Sequence, residues 1–359
     1  MTAHKNIRHL SQEELIQYFE STGDKKFRAK QVWEWLWKKH ARSFEEMTNL
    51  SIELREKLSN HFTLPVLTNN LSQYSADGTI KSRFKTFDGH LVEGVLIPVE
   101  ERQTACVSSQ VGCSLSCRFC ATGFMDRKRN LNFDEIYDEA VLLNEAALKT
   151  YGKKLSNIVF MGMGEPLLNY KNVLKAIERI TAPDGLGMGA RRITVSTSGI
   201  SKMIRQLGDD GVKFNLALSL HAANDKKRSE IMPINETNNI KSLIDALNYF
   251  YNKTKNDITF EYILFKDEND SIQDADDLIK IYKQVPVHLI NIIEYNPIDN
   301  AGYQKPDKEA TQKFMDYLAA HRVNVRLRVS RGKDIDAACG QLANKTLEKS
   351  VGSAEVVLG

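Results

Sequence analysis

The stretch Cys113-Ser-Leu-Ser-Cys117-Arg-Phe-Cys120 decides how this 359-residue sequence is interpreted. It follows a predicted strand at 104–108, so its three thiols lie on one loop and can converge on a metal centre. Structural zinc usually takes four protein ligands in two separated pairs, and the remaining cysteines, Cys106 and Cys339, each stand alone. Thiolates also hold iron–sulfur clusters. Three thiolates on a four-iron cluster leave one iron free to bind a small molecule, and this spacing favours such a cluster.

Strands and helices alternate from about residue 103 onward. Strands separated by helices of this length imply parallel pairing through right-handed crossovers. Six such units fall short of an eight-unit barrel, which leaves a partial barrel or an open doubly wound sheet. The candidate strands are 104–108, 157–161, 192–196, 213–220, 258–265, 287–295 and 324–329, and the helical patterns between them are 133–149, 170–181, 201–208, 240–254, 273–284 and 308–321.

The first hundred residues have a different pattern. Residues 1–65 favour helices. The capping-box pattern from Ser11 to Glu14 predicts the start of the first helix. Residues 79–98 predict a β-hairpin, because two alternating stretches flank the turn signal Asp88-Gly89. We therefore divide the chain into a helical domain (1–70), a hairpin linker (71–102), a partial barrel with a C-terminal cysteine loop (103–345) and a flexible tail (346–359).

A tryptophan-rich basic helix is predicted near residues 24–43. It permits two interpretations: a core helix with a solvated basic face, or a surface that grips phosphates and stacks on bases. The stretch 322–333 is also basic and contains no acidic residue, which suits a polyanionic substrate or an exposed edge strand. The aromatic and basic residues of the first helix are Trp33, Trp35, Trp37, Lys25, Lys26, Arg28, Lys30, Lys38, Lys39 and Arg42.

Composition excludes several classes of protein. The chain is 42% hydrophobic and 26% charged with a net charge of +3, an ordinary globular balance. No apolar run approaches the roughly 18 residues of a membrane span, and the polar N-terminus shows no secretory signal. We therefore expect a cytoplasmic protein without membrane association.

Polar and glycine residues end several of the predicted strands. Because the carboxyl ends of parallel strands share one rim of a sheet, we expect these residues to lie near the three clustered cysteines. Glu165 could accept a hydrogen bond from an amino group, whereas each of the others could also be an ordinary cap or turn residue. They are Gly164, Glu165, Ser196, the Ser219-Leu220-His221 stretch, Asn296 and the Cys339-Gly340 pair.

The CxxxCxxC motif resembles the radical S-adenosylmethionine (SAM) superfamily, and the motifs together resemble the RlmN family of dual-specificity RNA methyltransferases. The chain departs from that family at Asp126-Arg127, where members commonly have Gly-Phe. The matching stretches are Phe27-Arg-Ala-Lys-Gln-Val-Trp33, Cys106-Val-Ser-Ser-Gln-Val-Gly-Cys113, Met161-Gly-Met-Gly-Glu-Pro-Leu-Leu-Asn169, Arg192-Ile-Thr-Val-Ser-Thr-Ser198, Ser219-Leu-His221, Met232-Pro-Ile-Asn235 and Asp334-Ile-Asp-Ala-Ala-Cys-Gly-Gln-Leu342.

The resemblance implies an α/β fold, a partial (βα)6 radical SAM barrel with an N-terminal helical domain and a β-hairpin extension. It implies a [4Fe-4S] cluster held by Cys113, Cys117 and Cys120. SAM would bind at Gly164, Glu165, Ser196, Ser219, Leu220, His221 and Asn296. Cys339 would carry a methyl group, Cys106 would resolve a covalent intermediate, and Glu93 would accept a proton.

The implied reaction is methylation of carbon 2 of an adenine in 23S rRNA and of an adenine next to the anticodon in tRNAs. One SAM would methylate Cys339, and a second would supply a radical that removes hydrogen from that methyl group. The resulting carbon radical would join RNA, and Cys106 would release the product by forming a disulfide. A flavodoxin-type protein would supply electrons. The alternatives are the sister enzyme that methylates carbon 8 and a non-catalytic metal-stabilised RNA-binding protein.

Overall fold

The computed structural model describes residues 4–345 and 356–358. Most strands of this part of the chain belong to one large sheet. In chain order the strands are β1 (Lys5–Asn6), β2 (Phe62–Thr63), β3 (Thr68–Tyr74), β4 (Ile80–Lys85), β5 (Leu91–Val99), β6 (Arg102–Cys106), β7 (Gln110–Val111), β8 (Arg129–Asn130), β9 (Asn157–Phe160), β10 (Ile193–Thr197), β11 (Asn215–Ser219), β12 (Ile258–Leu264), β13 (Val287–Glu294), β14 (Val325–Arg328) and β15 (Val356–Leu358).

Helices connect the parallel strands and make up about half of the first sixty residues. No helix among the residues that the structure describes has the length and apolar character of a membrane span. The helices are α1 (Gln12–Ser21), α2 (Phe27–Trp37), α3 (Ile52–His61), α4 (Phe133–Tyr151), α5 (Tyr170–Thr181), α6 (Ser201–Asp209), α7 (Asp225–Ile231), α8 (Ile240–Thr254), α9 (Ile272–Tyr282) and α10 (Lys308–Ala320).

The strand order of the large sheet distinguishes the two architectures left open by the sequence. Within the described residues it runs β14-β13-β12-β11-β10-β9-β6-β5-β4-β3-β15, and the strands from β14 to β6 are all parallel. A doubly wound sheet reverses its order at a switch point, whereas this order follows the chain without reversal, as in a barrel. The predicted partial barrel, with a helical crossover between each successive pair of parallel strands, is therefore confirmed.

An antiparallel extension continues the same sheet beyond the barrel. The predicted hairpin is present as β4 and β5, with Arg83 opposite Glu93 and Val95 opposite Cys106 on β6. β3, which we did not predict, pairs with β4. In the predicted tail, β15 pairs with β3, whereas residues 346–355 and 359 lie outside the described residues. The domain boundaries themselves stay a prediction.

The N-terminal helices pack against α4 through their aromatic side chains. Trp37 is buried against Phe133 and Tyr137, and the Tyr137 hydroxyl donates to the Trp37 carbonyl at 2.8 Å. Trp33 donates its indole N–H to Asp184 at 2.6 Å. These rings serve packing and are not a free stacking surface. The exposed part of α2 is basic, with Lys30 on it and Lys25 and Lys26 just before it.

The segment 332–345 crosses from the end of β14 to the hairpin extension. Asp334 accepts hydrogen bonds from the Ser75 hydroxyl at 2.5 Å and the Ala76 amide at 3.0 Å. Further along, the Asn344 side chain donates to the Leu91 carbonyl at 2.7 Å. The segment thereby runs along the hairpin extension from the turn at Ser75 to the start of β5, and it carries Cys339.

Candidate active site

The three clustered cysteines line one wall of a cavity at the carboxyl ends of the parallel strands. Cys117 is buried, Cys113 and Cys120 are half-buried, and all three are free thiols. No group of three His, Cys, Asp or Glu side chains in the described part of the chain converges on a single ion. The thiols share instead a wider cavity, where a cluster larger than one ion can take a thiolate at each of several irons.

Close backbone packing shapes the loop that carries these thiols. Gly123 lies so near the chain that a Cβ there would come within 2.6 Å of the Cys117 carbonyl oxygen. The Arg118 amide donates to the Ile231 carbonyl at 3.0 Å, which ties the loop to the end of α7. Asp126, at the departure from the family pattern, is exposed, and Arg127 donates to Asn130 at 3.3 Å.

Burial keeps the cluster thiols protonated when no cation is near them. It raises the pKa of Cys113 to about 11, and it also raises the pKa values of Cys117 and Cys120. Each thiol must lose its proton to bind iron, so binding of the metal releases protons here. The donor set of three thiols therefore fits an iron–sulfur cluster.

Gly164 and Glu165 form the opposite wall of this cavity. A Cβ on Gly164 would come within 2.5 Å of the Gln110 side chain, and its φ of +92° lies in the left-handed region, so glycine is required. The Glu165 carboxylate is buried and accepts hydrogen bonds from the Leu167 amide at 3.0 Å and the Ser198 amide at 2.8 Å. Burial raises its pKa. The carboxylate is thus fixed in place with its remaining acceptor capacity available for a ligand amine.

Ser196, Ser219 and His221 complete the polar lining at the ends of β10 and β11. The two serine hydroxyls lie 3.3 Å apart. The buried His221 ring accepts a hydrogen bond at Nδ1 from the Ile263 amide at 3.1 Å. Burial lowers its pKa to about 3. The ring is therefore neutral, and its proton is on Nε2, which makes His221 a hydrogen-bond donor.

Two residues assigned to SAM binding by resemblance are absent from the lining of this cavity. Leu220 is buried, and its carbonyl accepts a hydrogen bond from Arg228 at 3.1 Å. The Asn296 side chain donates to the Ser330 hydroxyl at 2.9 Å and to the Cys339 carbonyl at 3.2 Å. In this structure Asn296 therefore holds the loop that carries Cys339.

Arg228 is a fully buried residue that the sequence did not single out. It donates to the carbonyls of Ser198 at 2.6 Å and Ser219 at 3.2 Å, and to the Asn235 side chain at 2.8 Å. Burial lowers its pKa to about 10, so it remains a cation at neutral pH. Arg228 clamps the ends of β10 and β11, where the lining serines lie.

Cys339 lies at the junction of two cavities. It lines the cavity just described and also a second one of about 530 Å³ inside the barrel. Cys106 lines only the second cavity. Burial, followed by the nearby Cys339 thiol, raises the pKa of Cys106 to about 12. The tertiary structure thus brings the two isolated cysteines together, although 233 residues separate them by number (339 − 106).

Glu93 lies outside the linings of both cavities. Its buried carboxylate accepts hydrogen bonds from the Ala343 amide at 2.9 Å and the Asn344 amide at 3.1 Å. The Lys81 ammonium lies 3.6 Å away, and both side chains are almost wholly buried. Glu93 therefore anchors the segment that follows Cys339.

The sequence analysis did not predict a polar network near Cys339. Glu261 accepts hydrogen bonds from Asn291 at 2.7 Å and from Arg328 at 3.1 Å, and Asn291 accepts one from Arg326 at 3.2 Å. The pKa of Arg328 is raised, and the charge of Cys339 contributes more to this increase than the charge of Glu261 does. Glu261 could have been found, because it is the charged residue in the middle of the apolar strand pattern Ile258–Leu264.

Comparisons with known proteins agree with this geometry. A domain family described as the ribosomal RNA large subunit methyltransferase N-terminal domain matches residues 5–64, and the radical SAM superfamily matches residues 107–279. A probable dual-specificity RNA methyltransferase RlmN from Cytophaga hutchinsonii is 57% identical over 96% of this chain and 94% of its own length. The chain belongs to the RlmN family.

More distant members of the RlmN family match over the same length. The Streptococcus gordonii relative, also named a probable RlmN, is 42% identical over 96% of both chains. The crystal structure of a radical SAM methyltransferase from Sphaerobacter thermophilus superposes with a TM-score of 0.88 at 38% identity, covering 94% of this chain and 99% of that one. The protein is thus a radical SAM methyltransferase that acts on RNA, and its superfamily uses SAM and an iron–sulfur cluster.

Proposed function

We propose that this enzyme methylates carbon 2 of an adenine in 23S rRNA and of an adenine next to the anticodon in tRNAs. The position of Cys339 is the observation that supports the proposal best. This thiol borders both the cavity with the three clustered cysteines and the cavity with Cys106. A thiol that receives a methyl group in the first cavity and passes it to RNA in the second must border both cavities.

Cys113, Cys117 and Cys120 hold a [4Fe-4S] cluster in this proposal. SAM would bind at the opposite wall of the cavity, which is formed by Gly164, Glu165, Ser196, Ser219 and His221. When bound, the cluster supplies the electron that cleaves SAM to a carbon radical. Glu165 accepts from the SAM amine, His221 donates through Nε2, and Arg228 keeps the serine-bearing strand ends in place.

Cys339 is the methyl carrier, and Cys106 is the resolving thiol. The Cys339 thiolate attacks the methyl carbon of one SAM, becomes a methyl thioether and releases S-adenosylhomocysteine. The carbon radical formed from a second SAM would take a hydrogen atom from that methyl group. The carbon radical left on the Cys339 thioether bonds to carbon 2 of adenine. The adduct radical would return one electron to the oxidised iron–sulfur cluster and loses the proton of carbon 2. The Cys106 thiolate then attacks the Cys339 sulfur. The sulfur–carbon bond breaks, the released carbon takes up a proton, and a Cys106–Cys339 disulfide remains.

Glu93 accepts the proton from carbon 2 in this scheme. Its carboxylate now receives two backbone N–H groups from the segment after Cys339, so the role requires that Ala343 and Asn344 withdraw when RNA binds. A flavodoxin-type protein supplies the electron for the cluster. A thiol reductant restores the two cysteines after each turnover, since the disulfide cannot accept another methyl group.

The experiment is nucleoside mass spectrometry of 23S rRNA and tRNA from a strain that lacks the gene, compared with its parent and with a complemented strain. Loss of 2-methyladenosine from both RNAs, restored by the wild-type gene and not by Cys339→Ala, is the expected result. Loss of 8-methyladenosine instead would show the carbon 8 activity. No change in any methyladenosine would overturn the proposal.

A further inference from the structure

Lys81 is a buried lysine on strand β4 of the hairpin extension. Only 6% of its side chain is exposed. Its ammonium lies 3.6 Å from Oε1 of Glu93 and donates a hydrogen bond to the Asp336 carbonyl at 3.3 Å. Lysine is almost never buried to this extent unless its charge is paired. The reaction described above gives this lysine no task, although its partner is the proposed proton acceptor.

Strand register places Lys81 and Glu93 on the face of the sheet that carries Cys106. Glu93 and Val95 share one face of β5, because side chains alternate along a strand. Val95 pairs with Lys81 on one side and with Cys106 on the other. Directly paired residues of antiparallel strands project to the same face. The lysine, the carboxylate and the resolving thiol therefore lie on one side of the sheet, and Val95 and Cys106 line the second cavity there.

The two carboxylate oxygens of Glu93 have different partners. Oε2 accepts from the Ala343 and Asn344 amides, whereas Oε1 faces the Lys81 ammonium. Withdrawal of the segment 332–345 would free Oε2 to take a proton, but Lys81 belongs to β4 and would stay beside Oε1. A buried carboxylate that lacks a nearby cation takes up a proton itself, and it can then accept no other.

Several titratable groups face Glu93 without adding a charge that could replace Lys81. Asp336, on the segment 332–345, pairs its carboxylate with Lys345 at 3.1 Å. Burial raises the pKa of Cys106 on β6 and the pKa of Glu139 on α4, so the thiol and the carboxyl group are both protonated at neutral pH.

Arg83 is the other cation on this face of the hairpin. It lies directly opposite Glu93 in the register of β4 and β5. Its guanidinium is turned away, however, and donates to the Asn70 side chain at 3.0 Å and to the Lys345 carbonyl at 3.2 Å. Within the residues that the structure describes, Lys81 is therefore the one cation at salt-bridge distance from the Glu93 carboxylate.

We propose that Lys81 is a positioning residue for the proton acceptor, and that its ammonium keeps Glu93 ionised and in place after Ala343 and Asn344 have withdrawn. This role rests on the proposed function, in which Glu93 takes the proton of carbon 2. The proton passes from carbon 2 to the freed Oε2, and Lys81 keeps its own proton throughout.

The test is the pH dependence of RNA methylation by Lys81→Met, with hydrogen or deuterium at carbon 2 of the target adenine. A cation at this distance favours the ionised carboxylate by about one to three pH units, so the variant should be at least about tenfold slower than the wild type near pH 6 and approach it near pH 9. Its deuterium isotope effect near pH 6 should exceed that of the wild type, because loss of the carbon 2 proton has become slow. Comparison at each pH removes the response of Cys106, which both proteins contain.

Two further substitutions of Lys81 separate charge from structure. Lys81→Arg keeps the charge and should recover most of the rate. Lys81→Gln can still donate to the Asp336 carbonyl but has no charge, so it should show the same pH dependence as Lys81→Met. Lys345→Met is the matched control, because it removes a lysine of the same segment that pairs with Asp299 and Asp336, and it should keep the wild-type profile. Iron content and methylation of Cys339 check the folding of every variant.

A double variant tests whether the lysine acts through the carboxylate. Adding Lys81→Met to Glu93→Gln should slow RNA methylation no further, and a further loss would overturn the positioning role. A wild-type pH profile and isotope effect in both Lys81→Met and Lys81→Gln, with Glu93→Gln slow, would overturn the role of Lys81 alone. Wild-type methylation by Glu93→Gln would instead overturn the proton-acceptor role on which it rests.

Discussion

The carbonyl of Gly340 accepts a hydrogen bond of 2.7 Å from the backbone amide of Ala121. Gly340 follows Cys339, and Ala121 follows Cys120, so this bond joins the loop of the proposed methyl carrier to the loop of the proposed cluster ligands. A second bond of 2.6 Å joins the same two loops, from the Thr122 hydroxyl to the Leu342 carbonyl. The two loops therefore form one unit across the first cavity.

Replacing Thr122 by Val should loosen this unit. Valine has the same shape but no hydroxyl, so the buried Leu342 carbonyl loses its partner at a cost of about 1–3 kcal/mol. We expect methylation of Cys339 to slow by about tenfold while iron content stays unchanged, measured by peptide mass spectrometry after one turnover. Thr122→Ser is the control and should retain most of the rate. Equal rates in the valine and serine variants would show that the bond does not position Cys339.

Cys117→Ala should abolish the cluster. Anaerobically reconstituted wild-type protein should hold about four irons per chain, and the variant should lose the brown absorption together with SAM cleavage. Cys106→Ala is the matched control, since this buried thiol lies in the other cavity and should leave the iron content intact. Iron and sulfide assays with visible absorption make the comparison. A full cluster in Cys117→Ala would exclude it as a ligand.

Variants of Cys106 and Cys339 should fail in different ways. Cys106→Ala still forms the bond between Cys339 and RNA but lacks the thiol that breaks it, so we expect a nuclease-sensitive adduct on a denaturing gel. Cys339→Ala has no methyl acceptor and should give no adduct, and the double variant should resemble it. Methylated RNA produced by Cys339→Ala, or a Cys106→Ala adduct that maps to another residue, would refute these roles.

Glu93→Gln separates anchoring from proton transfer. The amide keeps one oxygen that can accept from the Ala343 and Asn344 amides, but it is no useful base. As proton acceptor, Glu93 should contribute roughly 10²–10⁴-fold to the rate of RNA methylation, while methylation of Cys339 continues in the variant. Single-turnover assays of both products make the comparison, and Glu93→Ala serves as the variant that loses both roles. RNA methylation near the wild-type rate in Glu93→Gln would leave Glu93 with anchoring alone.

His221 should make stability fall in mild acid. Its pKa is about 3 in the folded protein against an ordinary value of 6.5, so below pH 6.5 the unfolded chain binds a proton that the folded chain does not. Stability is therefore lost as the pH falls below 6.5, by about 2 kcal/mol at pH 5 for this residue alone. In His221→Asn, which suits the residue's positive φ of 56°, urea unfolding should lose that part of the pH dependence. An unchanged pH profile would show that the ring is not held neutral.

The sequence by itself determined the secondary-structure elements and the candidate metal-binding loop, because both depend on local patterns. Periodicity and helix-length spacers predicted the parallel strands, Asp88-Gly89 predicted the hairpin, and Cys113 to Cys120 predicted the metal-binding loop. The capping box at Ser11 and Glu14 is present in α1 as expected. Each of these signals depends on residues within a few positions of one another.

Only the tertiary structure decided what depends on distant pairing. Strand order excluded a doubly wound sheet, and the return of 332–345 onto the hairpin brought Cys339 beside Cys106 and gave Glu93 its partners at Ala343 and Asn344. The tryptophans of α2 resemble a stacking surface in sequence, yet Trp37 is buried against Phe133 and Tyr137 of a helix a hundred residues away, and Trp33 donates to Asp184. The network from Arg326 to Glu261 exists because register aligns three strands at one level. Contacts of this kind arise from the sum of many packing interactions, which no short stretch of sequence encodes.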